Sequence, residues 1–263
     1  MDIREYNRGA WNKLVANGNR WTIPVSNDQI AAARQGDWEI VLTPSKPVPR
    51  DWFGDLSGAK VLCLAGAGGQ QAPILAAAGA SVTVFDNSPA QLNQDRMVAE
   101  REGLAIELIE GDMRDLGCFD DEQFDLIFHP CSNCFVPELA PVWREAARVL
   151  KTGGHLLSGM SNPIVFLLDE EELGNNRLVI RHRVPYSDLT DLTDEERQKL
   201  IDDGEPFCFG HSIEDQIAGQ TEAGLAIVGF FEDTWTDESD QAVISRHLSG
   251  FFATRSRKLG SSG

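Results

Sequence analysis

The stretch Val61-Leu-Cys-Leu-Ala-Gly-Ala-Gly-Gly-Gln-Gln-Ala-Pro-Ile-Leu-Ala-Ala-Ala-Gly-Ala-Ser-Val-Thr-Val-Phe-Asp-Asn-Ser-Pro-Ala-Gln-Leu92 decides how this chain folds. An apolar strand, Val61–Ala65, runs into a turn of small residues, Gly66-Ala67-Gly68-Gly69. The pattern then predicts a short helix to Gly79 and a second strand, Ser81–Phe85, ending on Asp86. In such a β-loop-α-β unit the glycine turn lets a ligand approach backbone N–H groups. The strand-end carboxylate can accept hydrogen bonds from ribose hydroxyls. A nucleoside-containing cofactor suits this arrangement.

Working outward, Ser88, Pro89 and Gln91 read as N-cap, first helical position and capping-box partner of a helix that Gly103 closes. A third strand, Ile106–Ile109, delivers Gly111-Asp112-Met113, and a fourth, Phe124–Phe128, ends on His129-Pro130. Pro137 to Leu150 reads as an amphipathic helix and His155–Ser158 as a fifth strand. This alternation means a mainly parallel sheet covered on both faces. It breaks after Asn162. Residues 163–210 hold a possible strand pair around Leu178–Tyr186 and a short helix opened by Thr193, and read as an insertion capping the site. A helix from Ser212 to Gly224 and strands Leu225–Phe231 and His247–Thr254 complete the pattern. Before the sheet, residues 1–55 carry two helical stretches, Glu5–Ala16 and Ser26–Gln35, with Trp11, Trp21 and Trp38. They read as a lid or as a segment stapled to the sheet.

A dinucleotide fingerprint requires a third glycine where this chain has Gln71, so that fingerprint fails. The segment instead resembles the first two motifs of class I S-adenosylmethionine-dependent methyltransferases, of the small-molecule, type 11-like kind. Further likenesses follow in the family's order: Glu110-Gly-Asp-Met113, Phe124-Asp-Leu-Ile-Phe128 and Val149-Leu-Lys-Thr-Gly-Gly154. The resemblance implies a Rossmann-like, doubly wound α/β fold over residues 56–258. Its seven-stranded, mainly parallel sheet would have an antiparallel final strand. It implies S-adenosyl-L-methionine as cofactor, held by Ala65, Gly66, Gly68, Gly69, Gln71, Asp86, Asn87, Gly111, Asp112, Met113 and His129. Asp86 would take the ribose and Asp112 the adenine amino group, with Met113 on the ring. The chain departs from the family's Asp-x-Gly-x-Gly-x-Gly at Cys63, Ala65 and Ala67. Cys63 cannot accept hydrogen bonds as a carboxylate does, and Ala67 narrows the backbone angles open to the turn.

Composition narrows the function classes. The 263 residues carry 23 basic against 41 acidic side chains, a net charge of −18, which disfavours a nucleic-acid substrate. The basic knot at Arg177, Arg181, His182 and Arg183 reads as a solvated patch offsetting nearby acids. No apolar run approaches a membrane span and the N-terminus is charged, so a cytoplasmic location is expected. Five scattered cysteines suggest reduced thiols; Cys131-Ser-Asn-Cys134 has no second pair, so no metal is expected. Residues 259–263 read as a linker or cloning scar.

Methyl transfer from a sulfonium needs a base only when the nucleophile arrives protonated. His129, at a strand end, is the candidate base, with a purely backbone role as the alternative. Ser132 and Asn133 are expected to face the substrate or the cofactor's amino-acid end. The loop lacks the Asn/Asp-Pro-Pro-Tyr/Phe signature of amide methylation. Trp11, Trp21, Tyr186 and His211 are expected around a small-molecule substrate, with Phe166 and Phe207 adding aromatic surface. The alternatives are an RNA or protein methylase of the same fold, a cofactor-binding module without turnover and, more distantly, an NAD-linked oxidoreductase.

Overall fold

The computed structural model describes residues 1–236 and 242–260. Nine strands occur among them: β1 (Lys60–Leu64), β2 (Ser81–Asp86), β3 (Ile106–Glu110), β4 (Phe124–His129), β5 (Leu150–Ser161), β6 (Tyr186–Ser187), β7 (Phe209–Gly210), β8 (Leu225–Asp233) and β9 (Phe251–Lys258). Seven form one sheet in the order β3-β2-β1-β4-β5-β9-β8, and β6 pairs with β7 alone. Strands β1 to β5 run parallel; β9 is antiparallel to both β5 and β8. The fold is thus Rossmann-like, with β1 between β2 and β4 at the point where the strand order reverses.

Alternation along β1 separates two cores. Val61 and Cys63 face a cluster with Trp38, Trp52 and Phe53, while Leu62 and Leu64 face one centred on Trp143. The first side carries helices α2 (Asn27–Arg34), α3 (Gln71–Ala77) and α4 (Pro89–Glu102), with α1 (Ile3–Ala16) packed on α4, and the second carries α5 (Ala140–Val149). Trp38 sits edge-on to Phe53, so it belongs to the core and not to a lid. The helix read from Ser26 opens with a capping box to Gln29, and Thr193, expected to open a helix, makes one with Glu196.

At α4 the structure differs from expectation. Ser88 Oγ accepts from the Gln91 backbone N–H at 3.1 Å, but the Gln91 side chain does not reach back. The Ser88 N–H donates instead to Asp86 Oδ1, and Asn12 of α1 adds a further cap, its Oδ1 accepting from Ser88 Oγ at 2.8 Å and Ala90 N at 3.2 Å. The N-terminal helix therefore supplies a cap to a helix of the sheet. Asn12→Ala should cost about 1 kcal/mol in a urea melt, the usual worth of a cap; no change would mean that water replaces the bond.

The insertion also differs. No strand pair forms around Leu178–Tyr186, only an isolated bridge between Leu168 and Ile180 and the two-residue β6. One-turn helices α6 (Glu170–Gly174) and α7 (Asp188–Asp191) and the longer α8 (Asp194–Asp203) fill it. Arg181 of the basic knot pairs with Asp169 and Glu196. The helix expected from Ser212 begins with a π turn, Glu214–Ala218, before α9 (Gly219–Glu222). The last strand starts at Phe251 rather than His247, because the backbone N–H groups of His247 and Leu248 bond Ile244 O at the end of α10 (Ala242–Ser245). Of the expected tail, Leu259 and Gly260 follow β9; residues 261–263 lie outside the described residues.

Candidate active site

A cavity of about 330 Å³ lies at the carboxyl ends of β1, β2 and β4. Its strand-end wall holds Ala65, Gly66, Gln71, Asp86, Asn87, Gly111, Asp112 and Met113. The facing wall comes from α1, the segment around Trp21, residues 41–44 and the loop after β4, with Trp235 and Phe251.

The glycine turn is shaped by close approaches. A Cβ at Gly66 would lie 2.9 Å from the Pro130 ring. Gly68 takes φ +124°, a region closed to other residues, and Ala65 is held at φ +48° where the motif would place glycine. The backbone N–H groups of the turn are already engaged: Ala67 N donates to Asp86 Oδ2 at 3.2 Å and Gly68 N to Asp95 Oδ2 at 2.9 Å. Two carboxylates clasping the turn repel a pyrophosphate, which argues against a dinucleotide there.

Asp86 also accepts from Ser88 N at 2.9 Å. Burial pushes its pKa up to about 6, against the lowering effect of those backbone bonds. Asp112 is partly buried, yet Arg114 grips it through Nε and Nη2 and holds it below the ordinary carboxylate range. Its carboxylate is thus already engaged by its own neighbour. Gln91 Oε1 is buried without a partner, and Gln91 borders the cavity. An orphaned acceptor beside a half-buried carboxylate suits a ligand rich in hydroxyl and amino donors.

Several expected site residues lie elsewhere. His129 is 0% exposed and does not line the cavity. Its Nδ1 is 2.8 Å from the Leu64 carbonyl and its Nε2 2.7 Å from the Asn133 side chain. Burial lowers its pKa against the raising effect of both bonds, and the ring ties β4 to β1. Neither ring nitrogen faces the cavity, where a base or a cofactor contact was expected. Asn133 is buried against that ring. His211 donates from Nε2 towards Asn133 O and Val136 O, and Tyr186 donates to Asp188 Oδ1 while stacking on Phe166. Gly68 and Gly69 pack beneath Trp21 and Pro24, outside the cavity lining. Trp11, Trp21 and Ser132 do line it.

The N-terminal segment is sewn over the turn. Gln70 Nε2 donates to Arg20 O and Ile23 O, and Val25 N to Gly69 O. At the far end Tyr6 stacks on Phe207 at 4.5 Å, and Asn7 bonds both Phe135 O and Phe207 O. Phe207 is thus a clamp for α1, not part of the cavity wall. The sequence reading missed Arg114, Trp235 and Asp95, and gave Gln91 only a capping role. Asp95 had a legible signal: it shares the buried face of α4 with Leu92, Val98 and Ala99, where an acid is out of place.

A family model described as a methyltransferase domain matches residues 62–158. The uncharacterized methyltransferase YbaJ of Bacillus subtilis (strain 168) is 50% identical over 254 residues, covering 97% of this chain and 98% of that protein. An S-adenosylmethionine-dependent methyltransferase from Mesorhizobium loti superposes with TM-score 0.62 at 19% identity, covering 80% of this chain and 95% of that one. A geranyl diphosphate C-methyltransferase from Streptomyces coelicolor A3(2), solved with S-adenosyl-L-homocysteine, gives TM-score 0.56 at 14% identity, covering 80% and 76%.

Proposed function

The chain belongs to the S-adenosylmethionine-dependent methyltransferases, and from that premise we propose that it methylates a small, largely apolar molecule enclosed beneath α1. Bound S-adenosylmethionine supplies a methyl on a positively charged sulfonium, an activated leaving group. The protein's part is alignment and exclusion of water. Asp86 would hold the ribose, with Gln71, Asn87, Gly111 and Met113 beside the nucleoside. Asp112 would reach the adenine amino group once Arg114 shares it.

The observation that carries the acceptor reading is the facing wall. Trp11, Trp21, Phe135, Trp235 and Phe251 dominate it, with Thr43, Ser132 and Ser161 as small polar points. With methyl-labelled cofactor and a panel of apolar acceptors, Trp11→Ala should raise KM for the acceptor and leave cofactor affinity unchanged. Equal effects on both would move the acceptor elsewhere.

Among the described residues, that wall holds no histidine, lysine, tyrosine or glutamate, and its thiols are those of Cys131 and Cys134. Burial pushes the Cys131 thiol well above its ordinary range, so it cannot serve as a base near neutrality. The acceptor atom therefore arrives with its lone pair ready. Cys131→Ser and Cys134→Ser should each keep kcat within a few-fold; a loss on the scale of about 10²–10⁴, typical of a removed general base, would contradict this.

Cofactor affinity should depend on pH through Asp86. Its pKa is raised from 3.8 to about 6, so it is protonated below that value, whereas ribose hydroxyls donate best to the carboxylate. Binding then releases a proton, and affinity rises as pH climbs through about 6 and levels above it. Stability of the free protein moves the other way, because the folded state holds this proton more tightly than the unfolded chain. Calorimetric titration across pH 5 to 8 reads the first effect; a flat profile would remove Asp86 from the ribose. We also assign the protein to the cytoplasm, which suits its five unpaired cysteines.

A further inference from the structure

We propose that Asp95, reaching down from α4, replaces the motif acid missing from the first strand and holds the glycine turn in its cofactor-receiving shape. In the resembling family that acid stands where this chain has Cys63. Cys63 is fully buried, and burial pushes its thiol up, so it offers no carboxylate to the turn. Asp95 is likewise 0% exposed, and its Oδ2 accepts from Gly68 N at 2.9 Å. Asp86 holds the neighbouring Ala67 N from β2, so two carboxylates on different elements grip successive peptide groups. Gly68, at φ +124°, has the least intrinsic preference for the shape it is given, and it is the residue Asp95 holds.

The arrangement costs stability, which argues for a use. Asp95 Oδ1 is buried with no hydrogen bond of good geometry, the Gly68 and Gly69 N–H groups together offset only part of the burial, and Asp86 is a second acid nearby. Burial, with Asp86 adding to it, raises the Asp95 pKa to about 7. The titratable groups facing it are Cys63 from β1 and Asp86 from β2. An apolar residue of the same shape would pack between Leu92 and Val98 without that penalty. A buried acid kept at a net cost, bonded to the turn rather than to a cation, is a positioning residue for the cofactor loop.

The inference rests on the methyltransferase reading, so wild-type binding of S-adenosylhomocysteine is measured first; its absence would sink that reading alone. Asp95→Leu removes the acceptor without leaving a hole, and Asp95→Asn keeps an acceptor oxygen without the charge. Asp95→Leu should stay folded, relief of the buried carboxyl offsetting the Gly68 N–H left unpaired, yet bind S-adenosylhomocysteine about tenfold or more weakly because the turn loses its acceptor. Asp95→Asn should keep most of the affinity. Amide exchange in the peptide spanning Ala65–Gln70 should speed up in Asp95→Leu and not in Asp95→Asn, with no cofactor present. Wild-type affinity in Asp95→Leu would overturn the proposal, as would an Asp95→Asn variant as weak as Asp95→Leu. If Asp95→Leu fails to fold, the Asp95→Asn affinity decides: a loss as large as tenfold sinks the proposal.

Discussion

Asp86→Ala will bind S-adenosylhomocysteine roughly 10- to 100-fold more weakly than wild type, the equivalent of about 1–3 kcal/mol for hydrogen bonds to a charged acceptor. The carboxylate sits at the end of β2, one oxygen on Ala67 N and the other on Ser88 N. Each oxygen has a second lone pair to offer a ligand hydroxyl. The fold should tolerate the change, because a half-buried acid with a pKa near 6 is held at some cost. Asp86→Asn should fall between the two, since its amide accepts through one oxygen only. A folded Asp86→Ala protein with undiminished affinity would put the ribose elsewhere.

His129→Ala should instead cost stability, by about 3 kcal/mol or more. Truncation leaves the Leu64 carbonyl and the Asn133 amide unpaired in the interior and opens a hole beside Trp143. The ring lies edge-on to Trp143 at 6.1 Å, and no part of it reaches solvent. Urea melts measure the loss directly. Any activity that survives should keep its pH profile, because the ring does not border the cavity. Normal stability with turnover abolished would restore His129 as a base.

The contrast between Asp86 and His129 marks what the chain reveals by itself. Asp86 follows an apolar run and precedes a serine cap, a local pattern that places it at a strand end. His129 also stands at a strand end, but the direction of its ring depends on Leu64 of β1 and Asn133 of the following loop. Side-chain direction at a strand end is settled by packing, which sequence spacing does not report. Asn12 and Ser88 are 76 residues apart, so the cap joining α1 to α4 had no local signal. Tyr186 and His211 illustrate the same limit: both lie in the right region of the fold, and both spend their polar atoms on their own chain. Asp95 is the opposite case, an acid on an apolar helix face that periodicity alone could have singled out.

The direct test of the account is where the methyl group goes. Purified protein, S-adenosylmethionine labelled in its methyl and a whole-cell extract, fractionated afterwards into RNA, protein and small molecules, would answer it. Label is expected in the small-molecule fraction, extractable into organic solvent, and lost when Trp11 and Phe135 are replaced by alanine. Label in RNA or protein, or none in any fraction while the cofactor binds tightly, would contradict it.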